Sequence, residues 1–333
     1  MEATPPLMSH LLEVYSLKKY FPVGAGAGFG GGQVRAVDDV SLSIDRGETL
    51  AVVGESGCGK STLGRLILRL LEPTAGEVWL DGHRVDQMPP GPLRKLRQRM
   101  QVVFQDPVAS LSPRMRVRDI LAEPLVNFGV AHGRAEIDDQ VAELLDTVKL
   151  PRDAMRRFPH EFSGGQRQRI GVARALAAKP DLIVCDEAVS ALDISCKAQI
   201  VNLLADLQDE FGLALMFISH DLAVVEHLTH RVAVMYLGSL VEVADRDSLF
   251  ANPGHPYTRA LLSSILSTDP TRRGRRIALQ GETPSPMNPP SGCRFHTRCP
   301  YAFDRCRVET PKLSPRSPTQ QVACHLETLP AVA

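Results

Sequence analysis

A glycine-rich segment of the chain has the residue types and the spacing that bind phosphate. Residues 54–61 follow the pattern Gly, four further residues, Gly, Lys, Ser, between an apolar run and a segment with helical spacing. Glycine lets successive backbone N–H groups converge on phosphate oxygens, and the helix that follows adds the positive end of its dipole. Lys60 would neutralise the β- and γ-phosphates, and Ser61 would ligate Mg²⁺. The expected ATP contacts of this phosphate loop are Gly54, Glu55, Ser56, Gly57, Cys58, Gly59, Lys60, Ser61 and Thr62.

Two acids follow the fully apolar run 182–185. Side chains at the carboxyl end of a parallel strand emerge where α/β sheets bind ligands. Asp186 would hold Mg²⁺ through water, and Glu187 would polarise the attacking water, because phosphoryl transfer needs charge neutralisation and a positioned nucleophile. Solvated acids that merely end a strand are the alternative. The phosphate loop in the same chain favours the catalytic interpretation.

Two more polar residues follow apolar runs in the same way. His220 comes after the run 214–218, and Gln105 comes after the run 100–104. A lone histidine is more often a structural hydrogen-bonding group. Its place after another strand favours a contact with the γ-phosphate or the attacking water. The amide of Gln105 can coordinate Mg²⁺ and sense the γ-phosphate.

A second segment also has the features of an anion-binding helix start. Ser163, Gly164, Gly165 and Gln166 precede a run with helical spacing, and they offer small residues, free N–H groups and a hydroxyl. One nucleotide does not need two separate phosphate cradles in one subunit. We therefore expect a face-to-face dimer in which this second cradle (residues 163–166) serves the ATP of the partner.

These residues must be positioned by strands that alternate with helices. The apolar patterns predict strands at 11–21, 34–44, 50–53, 100–104, 182–185, 214–218 and 231–236, a strand and turn at 76–82, and helices at 60–71, about 195–211 and from Leu222. Residues 115–178 change to helical spacing. Such alternation predicts an α/β fold with a mainly parallel sheet.

Composition excludes some classes of function. The 333 residues include 38 Lys and Arg against 38 Asp and Glu, so no global basic field suggests a nucleic-acid partner. The longest apolar stretches fall far short of the roughly 18 residues of a membrane span, and no secretory signal is evident. We expect a cytosolic protein that reaches a membrane through a partner. Composition shifts towards Pro, Arg and Cys late in the chain, which predicts two parts, residues 1–265 and a C-terminal extension, residues 266–333.

Four of the seven cysteines lie in this C-terminal extension. Five, six and seventeen residues separate Cys293, Cys299, Cys306 and Cys324. The spacing fits neither a zinc ribbon nor the ferredoxin run. An odd cysteine count in a cytosolic chain argues against a disulfide framework. A [4Fe–4S] cluster, Zn²⁺ and free buried thiols remain alternatives.

The motifs together resemble those of the ABC ATPase family. Residues 54–62 resemble its Walker A motif, 182–187 its Walker B motif and 162–166 its signature, with Phe162 where Leu is commoner. The resemblance implies a P-loop NTPase fold with an antiparallel β subdomain and a helical signature subdomain at about 106–178. It also implies that Gln105 is the glutamine of the Q-loop and that His220 is the switch histidine. Phe21, with Tyr20, would stack on adenine. Asp193 of the D-loop would act in trans, together with Ser163, Gly164, Gly165 and Gln166.

Other segments resemble the peptide-importer branch of that family, most closely the second ATPase subunit of bacterial dipeptide and oligopeptide permeases. They include residues 103–107, 235–238 and 255–262. The resemblance implies ATP, Mg²⁺ and, as in some members, a [4Fe–4S] cluster on Cys293, Cys299, Cys306 and Cys324. Ala188, where Pro is usual, could loosen Glu187, and Cys196 stands where a branched aliphatic residue is usual.

The branch also implies partners and a place in the cell. We expect a second ATPase subunit, with a heterodimer favoured, two membrane permease subunits and an extracytoplasmic peptide-binding protein, at the cytoplasmic face of the bacterial inner membrane. An importer of nickel, glutathione or haem is an alternative within the branch. A soluble ABC ATPase of translation or DNA repair is disfavoured because no second cassette or long coiled coil is present. An iron–sulfur module with a vestigial ATP site is disfavoured by intact Lys60, Asp186, Glu187 and His220.

Overall fold

Two β-sheets organise the chain in a computed structural model, which describes residues 10–23, 32–264, 277, 279 and 281–330. The strands are β1 (Leu12–Val23), β2 (Gly32–Ile44), β3 (Thr49–Val53), β4 (Ala75–Leu80), β5 (His83–Arg84), β6 (Met100–Val103), β7 (Leu182–Asp186), β8 (Ala214–Ser219), β9 (Arg231–Tyr236), β10 (Ser239–Asp245), β11 (Ser314–Ser317) and β12 (Gln320–Val322). β1, β2, β4 and β5 form an antiparallel sheet, and the other eight strands form the larger sheet. The expectation of an α/β fold with an antiparallel β subdomain is confirmed.

The larger sheet runs in the order β11-β12-β10-β9-β3-β8-β7-β6. The pairings from β9 through β3, β8 and β7 to β6 are parallel. All five residues of β3 are buried because both faces of this part of the sheet are covered. Successive side chains of a strand point to opposite faces. Accordingly Leu50 and Val52 belong to one apolar cluster, whereas Ala51 and Val53 belong to a second cluster.

Helices cover the sheet and connect its strands. They are α1 (Lys60–Ile67), α2 (Pro90–Leu96), α3 (Pro107–Ser110), α4 (Val117–Asn127), α5 (Arg134–Thr147), α6 (Gly164–Leu176), α7 (Ile194–Phe211), α8 (Leu222–Leu228), α9 (Arg246–Ala251), α10 (Pro256–Leu262) and α11 (Asp304–Val308), with 3-10 turns at Arg152–Arg156 and Pro159–Glu161. The helix predicted to reach residue 71 ends four residues earlier, where Arg69 adopts a left-handed conformation (φ 52°). Within the described ranges, no helix is both long and apolar enough to span a membrane.

The described part of the C-terminal extension packs directly on the core. Strand β12 pairs with β10, so the extension continues the larger sheet. The ring of Phe295 lies 5.3 Å from that of Tyr236 and 5.4 Å from that of Tyr257. Buried Glu242 accepts hydrogen bonds from the His255 backbone N–H at 2.9 Å and from Gln320 Nε2 at 2.7 Å. The boundary expected near residue 265 lies outside the described residues.

A buried histidine begins the helix that precedes this boundary. Nδ1 of His255 accepts a hydrogen bond from the Tyr257 backbone N–H at 3.0 Å and so caps α10. The cap requires a ring without a proton on Nδ1. Complete burial lowers the pKa of His255 from 6.5 to about 3.

This histidine should make folding stability sensitive to mild acid. The folded pKa lies below the unfolded value, so its contribution is fully present above pH 6.5 and is lost as the pH falls towards 3. The unfolding free energy should therefore fall by up to about 1.4 kcal/mol per pH unit from this residue alone. We expect His255→Asn, whose side-chain oxygen can replace the Nδ1 acceptor, to flatten that slope in chemical denaturation between pH 6 and 4.

The exposed His83 provides the matched control. His83→Asn also removes one histidine but leaves the buried cap in place. Equal slopes for His255→Asn and the unmodified chain would contradict the assignment.

Candidate nucleotide-binding and hydrolysis site

The phosphate loop connects β3 to α1 and has a backbone that only glycine can adopt at two points. Gly54 has φ 152°, and a Cβ there would lie 2.2 Å from the carbonyl oxygen of Met235. Gly59 has φ 107°, and a Cβ there would lie 2.0 Å from the carbonyl oxygen of Ala36. Both glycines let the loop pass close to neighbouring backbone before α1 begins at Lys60. The loop thereby brings its N–H groups to the start of a helix, as an anion site requires.

The side chain of Lys60 hydrogen-bonds to the backbone of the phosphate loop. Its ammonium donates to the carbonyl oxygens of Gly54 at 2.8 Å and Glu55 at 3.0 Å, and it lies 3.9 Å from Cys58 Sγ. The residue is only 4% exposed. A buried positive charge held by two carbonyls fixes the curvature of the loop and leaves its charge available to an anion in the concavity.

Two of the three predicted magnesium ligands, Ser61 of α1 and Asp186, meet at the carboxyl end of β7. Ser61 Oγ donates to Asp186 Oδ1 at 2.6 Å, although 125 residues separate them in the chain. Asp186 ends β7 opposite Ile218 of β8. Gln105, the third predicted ligand, is exposed just after β6, the strand beside β7. The sheet order therefore brings the three residues to one edge.

Glu187 is held at the same edge in a left-handed conformation (φ 50°). Its backbone N–H donates to Ile218 at 3.0 Å, and its carbonyl accepts from the N–H of Ser190 at 3.1 Å. His220 Nδ1 lies 3.7 Å from Glu187 Oε1. The next residue, Ala188, is buried and stands where the resembling family usually has proline. The backbone bonds to Ile218 and Ser190 hold Glu187 in place without that proline.

The second cradle forms the start of α6. Ser163 Oγ accepts from the Gln166 N–H at 3.3 Å, and Gln166 Oε1 accepts from the Ser163 N–H at 3.0 Å, which is a capping box. Ser163 and Gly164 are exposed, and Gly165 packs against Cys196, whose Sγ would lie 3.1 Å from a Cβ there. Within the described ranges, no hydrogen bond or ion pair joins the second cradle to the phosphate loop.

Asp193 caps α7 near this cradle. Its carboxylate accepts from Ser195 Oγ at 2.6 Å and from the Cys196 N–H at 2.9 Å. These bonds, that from Ser195 foremost, hold the pKa of Asp193 well below its usual range. The residue is exposed and ionised, and Ser163 is also exposed.

The two predicted adenine-stacking residues differ in their surroundings. The Tyr20 hydroxyl donates to Asp38, and burial followed by this bond raises the pKa of Tyr20 to about 12. Phe21 is half-buried, with the Lys19 ammonium 5.1 Å from the centre of its ring. The Arg35 guanidinium lies 5.8 Å from the centre of the Tyr20 ring, so a cation lies near each of the two rings.

Sequence reasoning missed three side chains that reach the site from the C-terminal part of the chain. Arg298 binds the carboxylate of Glu55 with both guanidinium nitrogens, at 2.7 and 3.0 Å. The Tyr257 hydroxyl accepts from the Glu55 N–H at 2.8 Å, and Arg294 pairs with Asp38. Burial raises the pKa of Glu55, but the hydrogen bonds from Arg298 outweigh it and hold that pKa below its ordinary value. No local pattern announces these contacts, although Tyr257 lies in the segment 255–262 noted above.

The tail cysteines lie near one another as free thiols. Cys293 and Cys306 are buried, and the Cys293 N–H donates to the Cys306 carbonyl at 2.8 Å. Burial, with a smaller contribution from the neighbouring thiols, raises the pKa of Cys293 and of Cys299 to about 11. In the part of the chain that the structure describes, no three His, Cys, Asp or Glu side chains are arranged to hold a metal ion. Four thiols suit a soft metal chemically, but their present arrangement is not a coordination shell.

Comparison with known proteins gives the fold and site a family. The model of the ABC transporter family matches residues 37–190, and that of the oligopeptide/dipeptide transporter C-terminal region matches residues 241–306. A probable peptide ABC transporter ATP-binding protein of Sinorhizobium fredii is 54% identical over 97% of this chain and 92% of its own. The oligopeptide transport ATP-binding protein AppF of Bacillus subtilis is 51% identical, over 95% of this chain and 97% of its own.

Solved structures agree with this family. A dimeric ATP-binding cassette, MJ0796, described as a post-hydrolysis state with ADP and Pi, has a TM-score of 0.62 at 27% identity and covers 71% of this chain and 98% of its own. The cbiO1 protein of Clostridium perfringens, part of an ABC transporter complex, has a TM-score of 0.63 at 27% identity over 73% of this chain and 91% of its own. The fold and site define an ABC ATPase. The chain belongs to the ATP-binding proteins of the oligopeptide and dipeptide importer type.

Proposed function

We propose that this chain hydrolyses ATP to power the import of dipeptides or oligopeptides. The observation that carries the proposal is the contact between Ser61 Oγ and Asp186 Oδ1 at 2.6 Å, beside Glu187 and His220. It joins the phosphate loop to the acids at the carboxyl end of β7, which β8 separates from β3 in the sheet. The peptide substrate class is supported by relatives named peptide, oligopeptide and dipeptide transport proteins and by the matching C-terminal region.

Each residue has a physical task in this proposal. The N–H groups of the phosphate loop and the ammonium of Lys60 bind the β- and γ-phosphates. Ser61, Asp186 and Gln105 would hold Mg²⁺, which neutralises the charge that develops on the transferred phosphate. Glu187 orients and polarises the attacking water, and His220, 3.7 Å away, keeps that carboxylate directed towards it. Phe21 stacks on adenine.

A complete site requires two chains. The second cradle and Asp193 would contact the nucleotide of the partner, because among the described residues their hydrogen bonds stay within their own segments and none reaches the phosphate loop. The dimeric cassette with a similar fold supports this arrangement. We propose a heterodimer with a second ATPase subunit, at the cytoplasmic face of a bacterial inner membrane.

Replacing Glu187 tests the catalytic assignment. Glu187→Gln keeps the size and the hydrogen-bonding capacity of the side chain but removes its charge. We expect ATP to bind with unchanged affinity, the hydrolysis rate to fall by about 100-fold or more, and ATP to trap a dimer that elutes early in size-exclusion chromatography. Glu210→Gln, at the exposed end of α7, is the matched control. Hydrolysis at the unmodified rate would remove Glu187 from this role.

Membrane partners are proposed to dock on the helical segment after Gln105. Val108 of α3 and Val126 of α4 are 58% and 56% exposed, and each offers an apolar side chain to a short helix of a permease. Because Gln105 lies two residues before the start of α3, a shift at the γ-phosphate would reach Val108. An extracytoplasmic binding protein would deliver the peptide to the permeases.

Affinity purification of the full chain from its own cells tests these partners. We expect two polytopic membrane proteins and a second ATPase to co-purify, and we expect Val108→Asp to reduce their recovery. Val308→Asp serves as the control, because Val308 is 80% exposed but lies in the C-terminal extension. Recovery of soluble partners alone would contradict the transporter assignment.

We also propose that Cys293, Cys299, Cys306 and Cys324 bind a [4Fe–4S] cluster. The support is chemical: four thiols lie within electrostatic reach of one another. Side chains would have to reorient on binding, since they form no coordination shell in this structure. Iron would also shift the equilibrium to thiolates, which burial disfavours in the metal-free protein.

Metal analysis decides this assignment. Protein purified anaerobically should be brown and should carry about four irons and four sulfides per chain. Cys293→Ser should lose them, whereas Cys196→Ser, outside the extension, should retain them. Colourless protein with stoichiometric zinc, or protein without metal, would rule out the cluster.

A further inference from the structure

One ion pair joins the C-terminal extension to the phosphate loop. Arg298 Nη1 lies 2.7 Å from Glu55 Oε2, and Nη2 lies 3.0 Å from Oε1, a two-pronged contact between residues 243 positions apart. The side chain of Arg298 is 7% exposed and that of Glu55 is 27% exposed, so the pair is largely withdrawn from water. Thr283 Oγ1 adds a third contact to Glu55, at 3.1 Å.

Glu55 hydrogen-bonds through its N–H, its carbonyl and its carboxylate. Its N–H donates to the Tyr257 hydroxyl, its carbonyl accepts from Lys60 at 3.0 Å, and its carboxylate accepts from Arg298. Three directions of hydrogen bonding therefore fix this residue, which directly follows the first glycine of the loop. Its position controls where the next N–H groups point.

The charge of Glu55 is unexpected at this place. The pattern of the loop leaves position 55 free, and a carboxylate within a loop that binds a polyanion repels its ligand. The repulsion falls slowly with distance because the surrounding protein has a low dielectric constant. Arg298 supplies one positive charge directly on this carboxylate, and it is the only arginine or lysine paired with Glu55 among the described residues.

We propose that Arg298 is a positioning residue for ATP that acts through Glu55: it neutralises the carboxylate of Glu55, which would otherwise repel the phosphates of the nucleotide. The inference rests on the proposed function, because it takes residues 54–62 as the ATP site. It assigns the C-terminal extension a direct part in nucleotide affinity. Arg298 itself does not touch the phosphates in this assignment.

A purely mechanical role for the pair is the competing explanation. In that case Arg298 only fastens the extension to the core, through Glu55, Thr283 and the hydroxyl of Tyr236 at 3.4 Å. The two explanations differ in what happens when both charges are removed. When both charges are removed, the contact between the extension and the core is still broken, but the repulsion between Glu55 and the phosphates is gone.

The experiment measures the dissociation constant of ATP for the full chain in EDTA, where hydrolysis does not occur. We expect Arg298→Ala to weaken ATP binding by about tenfold, which corresponds to about 1.4 kcal/mol. Glu55→Gln combined with Arg298→Ala should restore affinity to within about threefold of the unmodified chain. Arg298→Lys, which keeps the charge but loses the two-pronged contact, should lie between the two.

The salt dependence of ATP affinity gives a second measurement, which a purely mechanical role of Arg298 would leave unchanged. Raising the salt from 0.1 M to 1 M shortens the screening length from about 10 Å to about 3 Å. The affinity ratio between the unmodified chain and Arg298→Ala should therefore shrink towards one. Arg305→Ala is the matched control, because Arg305 belongs to the same extension but pairs with Glu309 at the surface. Its affinity should be unchanged at both salt concentrations.

The outcomes separate the inference from the function on which it rests. Lys60→Ala should abolish binding in the same assay, and retained binding would overturn the ATP site itself. If Lys60→Ala loses ATP but Arg298→Ala does not, only the inference fails. A loss in Arg298→Ala that the added Glu55→Gln does not reverse would favour fastening and overturn the inference. Circular dichroism on each variant confirms that the protein is folded, and Arg298→Lys and the double variant keep the test decisive if Arg298→Ala does not fold.

Discussion

The pairing of β7 with β8 is the contact on which the rest of the site depends. Asp186 lies opposite Ile218 in a parallel ladder, so both strands end at the same level of the sheet. Glu187 then turns into a left-handed conformation, which costs about 1–3 kcal/mol for a residue other than glycine. The hydrogen bond from its N–H to Ile218 offsets part of that cost. A slip of one residue between these strands would separate Glu187 from His220 and Asp186 from Ser61.

Much of this arrangement could be predicted from the chain. The fully apolar runs of β3, β7 and β8 indicate strands buried on both faces, and such strands are parallel in α/β folds. Parallel strands end at one edge, which explains why residues as distant as Ser61 and Asp186 could be assigned to one site. The predicted end of α1 was wrong by four residues, because the left-handed turn after the helix is made by Arg69 and not by a glycine, which apolar spacing does not reveal.

The contribution of the C-terminal extension could not be predicted. Its polar and proline-rich sequence lacks the periodicity that reveals strands, and β11 and β12 are only four and three residues long. They form because β10 offers a partner edge. Arg298 likewise has no pattern around it, since an ion pair across 243 residues is a property of the fold alone. The roles of the cysteines remain a proposal, because spacing gives neither their distances nor a metal.

The pairing of β12 with β10 also has a consequence for solubility. Unpaired N–H and C=O groups along a sheet edge can recruit strands of other molecules, and many proteins protect such edges with proline and charge. Here the outermost strand, β11, contains Pro315 and Arg316 and is short. The extension thus ends the larger sheet with a strand that is a poor template for further pairing. The C-terminal extension, which supplies Arg298 to the phosphate loop, also covers the edge of the apolar strand β10. That edge is therefore not free to pair with strands of neighbouring copies of the chain.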